Sequence, residues 1–228
     1  VLILKYRETI NIPGGGANAI NNLLSLGARV LPIGLLGCDE AGDWLHHYFR
    51  NTGVDVSGLS RSQDYCTPVK TRILAGSFHS SMQQMLRIDR ENQPENPAFD
   101  QDDIVEKIQA FLPQVDGVVI SDYGYGIVTD DLVEEIKKRS SRKNLPVVVD
   151  SRFSMNRFHH VTSLTPNISE VEEAYQTRIG EDLSRMDAVA YRIIEELHLE
   201  ALLITRGRLG MSLYRPGENP VHISVYGS

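Results

Sequence analysis

The sequence predicts an α/β fold, a parallel sheet flanked by helices, with a small β lid set apart from it. Three observations carry this expectation. From Asp116 onward, short β-rich apolar runs alternate with helical patterns, as in parallel strands joined by right-handed crossovers. Two extended segments, 66–74 and 82–88, follow one another with no helix between them. The stretch 14–42, GGGANAINNLLSLGARVLPIGLLGCDEAG, leads glycines into a helix, a strand and a second glycine-bearing loop.

Residues 1–12 alternate at Leu2, Leu4 and Tyr6 and read as a strand or hairpin arm. A helix over 17–26 places Leu23, Leu24 and Leu26 on or near one face, and Gly27 ends it. A strand over 30–36 leads to Gly37, Asp39 and Gly42, which open a helix around 44–50. NTGVDVSGL is a turn-rich link. Val69, Thr71 and Ile73 then alternate with Lys70, Arg72 and Leu74, as in a sheet with one wet face. A polar turn over 76–81 joins the two extended segments, and ENQPENP, with two prolines, is a loop. Asp100 caps a helix over 102–112, and 116–121 is a buried strand. Thr129 caps a helix over 129–140, followed by strands over 145–150 and 161–165. Pro166 and Asn167 open a helix over 169–176. The helix over 184–197 buries Met186, Val189, Ile193, Ile194 and Leu197, and strands follow at 201–205, 210–214 and 221–225.

A chain of 228 residues can bury a substantial core. The net charge of −7 and the lack of a Lys/Arg cluster argue against a nucleic-acid face, although a few local arginines suffice for a small anion. Cys38 and Cys66 have no metal-ligand spacing and make no disulfide framework, which suits a reducing, cytoplasmic setting. No apolar run approaches the ~20 residues of a membrane span. The seven histidines include two adjacent pairs, which cannot share a helix face, so no metal site is expected from them.

Parallel sheets bind ligands outside the carboxyl ends of their strands. Ser121–Asp122, Asp150 and Thr205–Arg206 fall at such ends in this reading. Asn167 and Glu170 form Asn-x-x-Glu at a helix start, which either answers the helix dipole or organises a hydrated Mg²⁺. Asp122 suits a sugar hydroxyl or a turn cap, and Arg206 a phosphate or a solvated loop. Gly14, Gly15 and Gly16 before a helix let backbone amides approach a polar ligand, or simply make a tight turn. No Gly-Lys-Ser/Thr makes this a P-loop, and no Gly-x-Gly-x-x-Gly unit indicates a dinucleotide fold.

Together these elements resemble the ribokinase-like (PfkB) carbohydrate kinases over nearly the whole chain. The resemblance rests on Gly14, Gly15, Gly16 and Asn18 with Gly27 and Gly37, on Gly37-x-Asp39-x-x-Gly42, and on SDYGYG at 121–126. Further matches are Asp150 before Ser151–Arg152, LTPNISEVEEA at 164–174, and Thr205-Arg206-Gly207 with Gly210–Met211. Ile20 stands where the family usually has a small residue, and Ser151 where it usually has proline. The resemblance implies one partial carbohydrate kinase domain over 1–228, with lid segments near 1–12 and 66–91.

It also implies transfer of the ATP γ-phosphate to a sugar or sugar-phosphate hydroxyl with Mg²⁺. Gly14, Gly15, Gly16, Asn18, Asp39 and Asp122 face the sugar in this picture; Asn167 and Glu170 organise the metal through water; Thr205, Arg206 and Gly207 line the nucleotide side. Within the lid, Lys70-Thr71-Arg72 and Arg87-Ile88-Asp89-Arg90-Glu91 are most similar to the heptose-phosphate kinase branch, where Arg72 and Arg87 meet a phosphorylated sugar; an exposed charged hairpin face accounts for the same residues. Lids of the family often pair between subunits, so a homodimer is expected. The family's Gly-Ala-Gly-Asp motif, which supplies the anion hole and the catalytic base, is not among these residues, nor is its first strand. The resemblance therefore implies a domain incomplete at both termini and inactive by itself. Two other readings stay open, a catalytically dead sugar-binding or assembly module and a nucleoside-type kinase of the same superfamily.

Overall fold

A computed structural model describes residues 3–76, 82–91 and 100–226. The expected turn at 76–81 and loop at 91–97 lie, apart from Gly76 and Glu91, outside the described residues. The chain divides into two compact units, Val1–Ile104 and Val105–Ser228.

The first unit holds α1 (Gly16–Ser25), β1 (Gly34–Gly37), α2 (Glu40–Asn51), β2 (Leu59–Ser62), β3 (Val69–Ala75) and β4 (Gln83–Arg90). Residues 3–12 form no strand, contrary to the alternation read there, and Ile3, Tyr6, Ile10 and Ile12 are exposed. Alternation becomes a strand only when a neighbouring strand takes up its backbone hydrogen bonds, and among the described residues none does. The strand expected over 30–36 begins only at Gly34, where β1 gains the parallel partner β2. β2 starts at Leu59, the last residue of the turn-rich link, and carries no strand signal of its own. α2 is longer than expected because Asp39 caps it and its first turn runs through Gly42. Glu40 and Asp43 in the first turn and Arg50 in the last complement its dipole.

β3 and β4 form the expected antiparallel hairpin, a two-stranded sheet of its own. Its register passes from Ile73↔Leu86 to Leu74↔Gln84, which leaves Met85 as the extra residue of a bulge. α3 (Gln101–Phe111) spans the division between the units, with Asp100 Oδ1 accepting from the Asp102 N–H at 2.9 Å.

The second unit is the alternating region. It holds β5 (Val118–Asp122), α4 (Asp130–Ser141), β6 (Val147–Ser151), β7 (Ser163–Leu164), α5 (Ile168–Ala174), α6 (Leu183–Leu197), β8 (Ala201–Thr205), β9 (Met211–Tyr214) and β10 (Val221–Ile223). One six-stranded sheet runs in the order β10-β9-β8-β7-β6-β5. β5 to β8 are parallel, while β9 and β10 are antiparallel because short turns rather than helices connect them.

Its core sits where α6 covers β8. Met186, Ala190, Ile193, Ile194 and Leu197 are buried at helical spacing, with Ala190 taking the innermost place that the pattern suggested for Val189. Leu202 and Ile204 are fully buried on the sheet side, and burying each such side chain contributes roughly 1.5–3 kcal/mol.

Candidate active site

The four parallel strands of the second unit end on one edge of the sheet, and the register there sets the neighbours. Ser121 pairs with Asp150 and Asp122 with Ser151 across β5 and β6. Asn167 forms an isolated parallel bridge with Thr205, whose N–H donates to the Pro166 carbonyl at 2.9 Å. Asp150, Asn167 and Thr205 therefore line one carboxyl edge.

Glu170 joins them through α5. Asn167 Oδ1 accepts the Glu170 N–H at 2.9 Å, and Glu170 Oε2 accepts the Asn167 N–H at 2.9 Å, a complete capping box. Burial pushes the Glu170 carboxyl above its ordinary value; the Asn167 N–H opposes this, the Asp150 charge adds to it, and Arg152 opposes it. Burial likewise raises Asp150, against a hydrogen bond from Thr165. Two half-buried carboxylates that each raise the cost of ionising suit a cation between hard oxygen donors. Among the described residues no group of three or more His, Cys, Asp or Glu could hold a metal ion.

Asp122 is only 6% exposed, and both of its oxygens are engaged. Oδ1 accepts the Gly124 N–H at 3.0 Å and Oδ2 the Ser151 hydroxyl at 3.2 Å, with Arg157 Nη1 at 3.9 Å. Arg157 also meets Asp130 at 3.0 Å and donates to the Val128 carbonyl. Asp122 thus ties the end of β5 to β6 and to the loop before α4. Arg157 gave no sequence signal, because its partners Asp122, Val128 and Asp130 lie far earlier in the chain, at the end of β5 and the start of α4.

After β8, the Arg206 N–H donates to the Gly210 carbonyl at 2.7 Å, and Gly207 opens a short 3-10 turn to Leu209. The Arg206 Nε is buried with no hydrogen-bond partner, while Gly207 is exposed.

In the first unit, Gly15 is the N-cap of α1 and offers no side-chain cap, while the Ala17 and Asn18 N–H groups donate to the Gly14 and Gly15 carbonyls at 3.1 and 3.0 Å. Gly14 and Gly15 are exposed, Gly16 is half-buried, and Asn18 presents an exposed side chain one turn on. Asp39 is held more tightly. Its Oδ1 accepts the Gly42 N–H and its Oδ2 the Thr67 N–H, both at 2.8 Å, while Thr67 Oγ1 accepts the Gly37 N–H at 2.8 Å. Gly42 allows this closeness, because a Cβ there would lie 2.2 Å from the Gly37 carbonyl oxygen. Thr67 carried no motif, so its part in this knot was not legible.

Burial raises the Asp39 carboxyl, but the hydrogen bonds from Gly42 and Thr67 outweigh it and hold the group below its ordinary value. A depressed folded-state value means that the stabilisation is present above the unfolded value and fades as pH falls through the folded one. Asp39→Ala should cost about 2 kcal/mol at neutral pH, from a lost cap and an orphaned N–H. Denaturant unfolding at neutral and strongly acidic pH checks this, with the difference shrinking on the acid side.

On the hairpin, Arg72 and Arg87 are cross-strand partners, and Lys70 faces Asp89 on the same side. Asp89 grips Arg87 in a bidentate pair at 2.8 and 2.6 Å, and that bond holds its carboxyl below the ordinary value. Among the described residues no ion pair involves Arg72. Like charges directly opposite one another on a sheet are destabilising. Lys70 also lies 4.0 Å from Glu91, so three cations and two carboxylates share this face, which keeps one positive charge in excess.

A sheet whose polar residues gather at the carboxyl ends of parallel strands, beside an amide–carboxylate pair at a helix start, places the chain among α/β proteins that bind ligands at that edge. Residues 5–225 match the pfkB family carbohydrate kinase model, and the chain belongs to that family. It is 38% identical over 221 residues to the Bifunctional protein HldE of Geobacter sulfurreducens, covering 96% of this chain and 44% of that protein. It is 35% identical over 224 residues to the Bifunctional protein HldE of Desulfatibacillum aliphaticivorans, covering 98% of this chain and 45% of the relative. The chain thus spans somewhat under half the length of these curated relatives. The ribokinase of Giardia lamblia superposes with a TM-score of 0.69 at 19% identity, covering 96% of this chain and 68% of that one, which gives the ribokinase-like fold. Among the described residues no helix is long and apolar enough to cross a membrane.

Proposed function

We propose that this chain is part of an ATP-dependent sugar kinase directed at a phosphorylated sugar, of the heptose-phosphate class. The observation that carries the reading is the alignment of Asp150, Asn167, Glu170 and Thr205 along one sheet edge. Family membership and the relatives named HldE support it. The cationic hairpin face favours a phosphorylated sugar over a free one, since Arg72 has a guanidinium to offer a phosphate.

In this reading Gly14, Gly15, Gly16 and Asn18 orient the sugar, and Asp39 holds their neighbouring loop while offering remaining lone pairs to a hydroxyl. Asp122 shapes the 122–126 turn. Asn167 and Glu170 hold a Mg²⁺ through its waters with Asp150 nearby, and that ion when bound offsets charge on the phosphate oxygens. Thr205, Arg206 and Gly207 receive the nucleotide phosphates. Exposed Leu74, Leu86 and Ile88 on the hairpin suit pairing with a second copy as a homodimer lid. Cytoplasmic location suits the use of ATP.

The test is Arg72→Glu in the full-length protein. The KM for the sugar phosphate should rise about tenfold or more, with the KM for ATP unchanged within about twofold. An unchanged sugar-phosphate KM removes the hairpin from substrate recognition.

A further inference from the structure

The segment between β5 and α4, residues 123–129, holds no helix or strand. Gly124 and Gly126 turn it at φ 74° and 81°, so its own backbone leaves several paths open. It is fastened instead by the segment that follows β6. The Arg152 N–H donates to the Asp122 carbonyl at 3.1 Å. The Phe153 ring closes on Gly124, where a Cβ would lie 3.0 Å from the ring Cδ2.

The other fastenings come largely from one side chain. Arg157 ends a short 3-10 turn, Met155–Arg157. Its guanidinium lies over the Phe158 ring, 5.1 Å from the centroid, and that ring is fully buried. From this seat Nη1 lies 3.9 Å from Asp122 Oδ2, Nη2 donates to the Val128 carbonyl and Nε lies 3.0 Å from Asp130 Oδ1. One planar group thus reaches both ends of the segment, which the single ammonium of a lysine could not do. The Asp130 pair is exposed on the carboxylate side and contributes little by itself; the Asp122 carboxylate is nearly buried.

The sheet order shows which part of the site this segment borders. β7 and β6 lie between β8 and β5. Thr205 and Arg206 stand at the β8 end, Asp150 at the β6 end, and residues 123–129 continue from β5. In the kinase reading above, the nucleotide phosphates sit at the β8 end and the metal beside Asp150, so the segment after β5 borders the acceptor side. We propose that Arg157 is a positioning residue for the sugar phosphate, holding residues 122–130 in the one path that forms this border. The proposal rests on that reading. Arg157 touches no substrate; it acts through Asp122 and the Val128 carbonyl.

Arg157→Gln and Arg157→Lys in the full-length protein test it. Arg157→Gln should raise the KM for the sugar phosphate about fivefold and leave that for ATP within about twofold. Arg157→Lys keeps the charge without the fork and should fall between wild type and Arg157→Gln. Amide hydrogen exchange gives a readout independent of turnover. The Gly124 N–H, bonded to Asp122 Oδ1, should exchange about tenfold faster in Arg157→Gln, while the amides of β5 and β6 keep their protection. Should that variant fold poorly, Asp130→Ala removes only the exposed contact and should move both quantities the same way by about threefold. Unchanged exchange at Gly124 overturns the clamp. Faster exchange with an unchanged KM for the sugar phosphate, or an equal rise in both KM values, overturns the positioning role. A wild type with no ATP-dependent turnover overturns the kinase reading together with the positioning role, whereas a working wild type with either of those results overturns only this inference.

Discussion

Glu170→Gln in the full-length protein is expected to lower turnover about a hundredfold, by analogy with the loss of a single charge-stabilising group. The thermal midpoint should move by no more than about 2 °C, because the structural part of the residue survives the change. Glutamine at the third helical position can still accept the Asn167 N–H, so the capping box is preserved. What is lost is the negative charge beside Asp150. That charge is costly in the apo protein, since burial and the Asp150 neighbour both raise the Glu170 carboxyl. Neutralising it therefore leaves the fold as stable or slightly more so, while the affinity for a divalent cation falls. Asn167→Ala makes a useful contrast. It removes the acceptor for the Glu170 N–H and should cost about 1 kcal/mol of stability as well as activity. Equal turnover of wild type and Glu170→Gln would reduce Glu170 to a helix cap.

Gly210→Ala is expected to destabilise the second unit by about 3 kcal/mol or more, through strain plus overpacking. For a unit of this size that is a fall of roughly 10 °C in thermal midpoint. Gly210 sits at φ 90°, ψ −133°, a region that residues with a Cβ avoid. A Cβ there would lie 1.9 Å from the Ile223 carbonyl oxygen, which is backbone and cannot rotate away. The same residue accepts the Arg206 N–H, so any shift of the turn also moves Arg206. Calorimetry and the KM for ATP should change together. A variant with an unaltered midpoint would mean that β9 and β10 do not pack at Gly210 as described.

The alternating half of the fold was legible because each element carried its own signal. Thr129 before an apolar helix, the run of valines at 147–149 and the sequence ALLIT at 201–205 each specify one local answer. The first unit was less legible for a physical reason. β2 is a four-residue strand, LSRS, with no apolar alternation, and only its pairing with β1 defines it. The N-terminal alternation misled in the opposite sense, since pattern without a partner makes no sheet. At the site, Asn167 and Glu170 were visible as a spacing, whereas the closeness of Asp150 to Glu170 needed the register of β6, β7 and β8. Arg87 looked equivalent to Arg72 in sequence, but the structure ties it to Asp89 on its own strand.

The most direct measurement is ATP consumption by the full-length protein with Mg²⁺, offered sugar phosphates and the corresponding free sugars in parallel, with the product followed by phosphorus NMR. The account predicts stoichiometric ADP and a second phosphoester on the sugar phosphate, with kcat/KM for the free sugar lower by about a hundredfold or more, as the loss of a charged contact to phosphate implies. Equal use of the free sugar, or nucleotide hydrolysis with no new phosphoester, would contradict it.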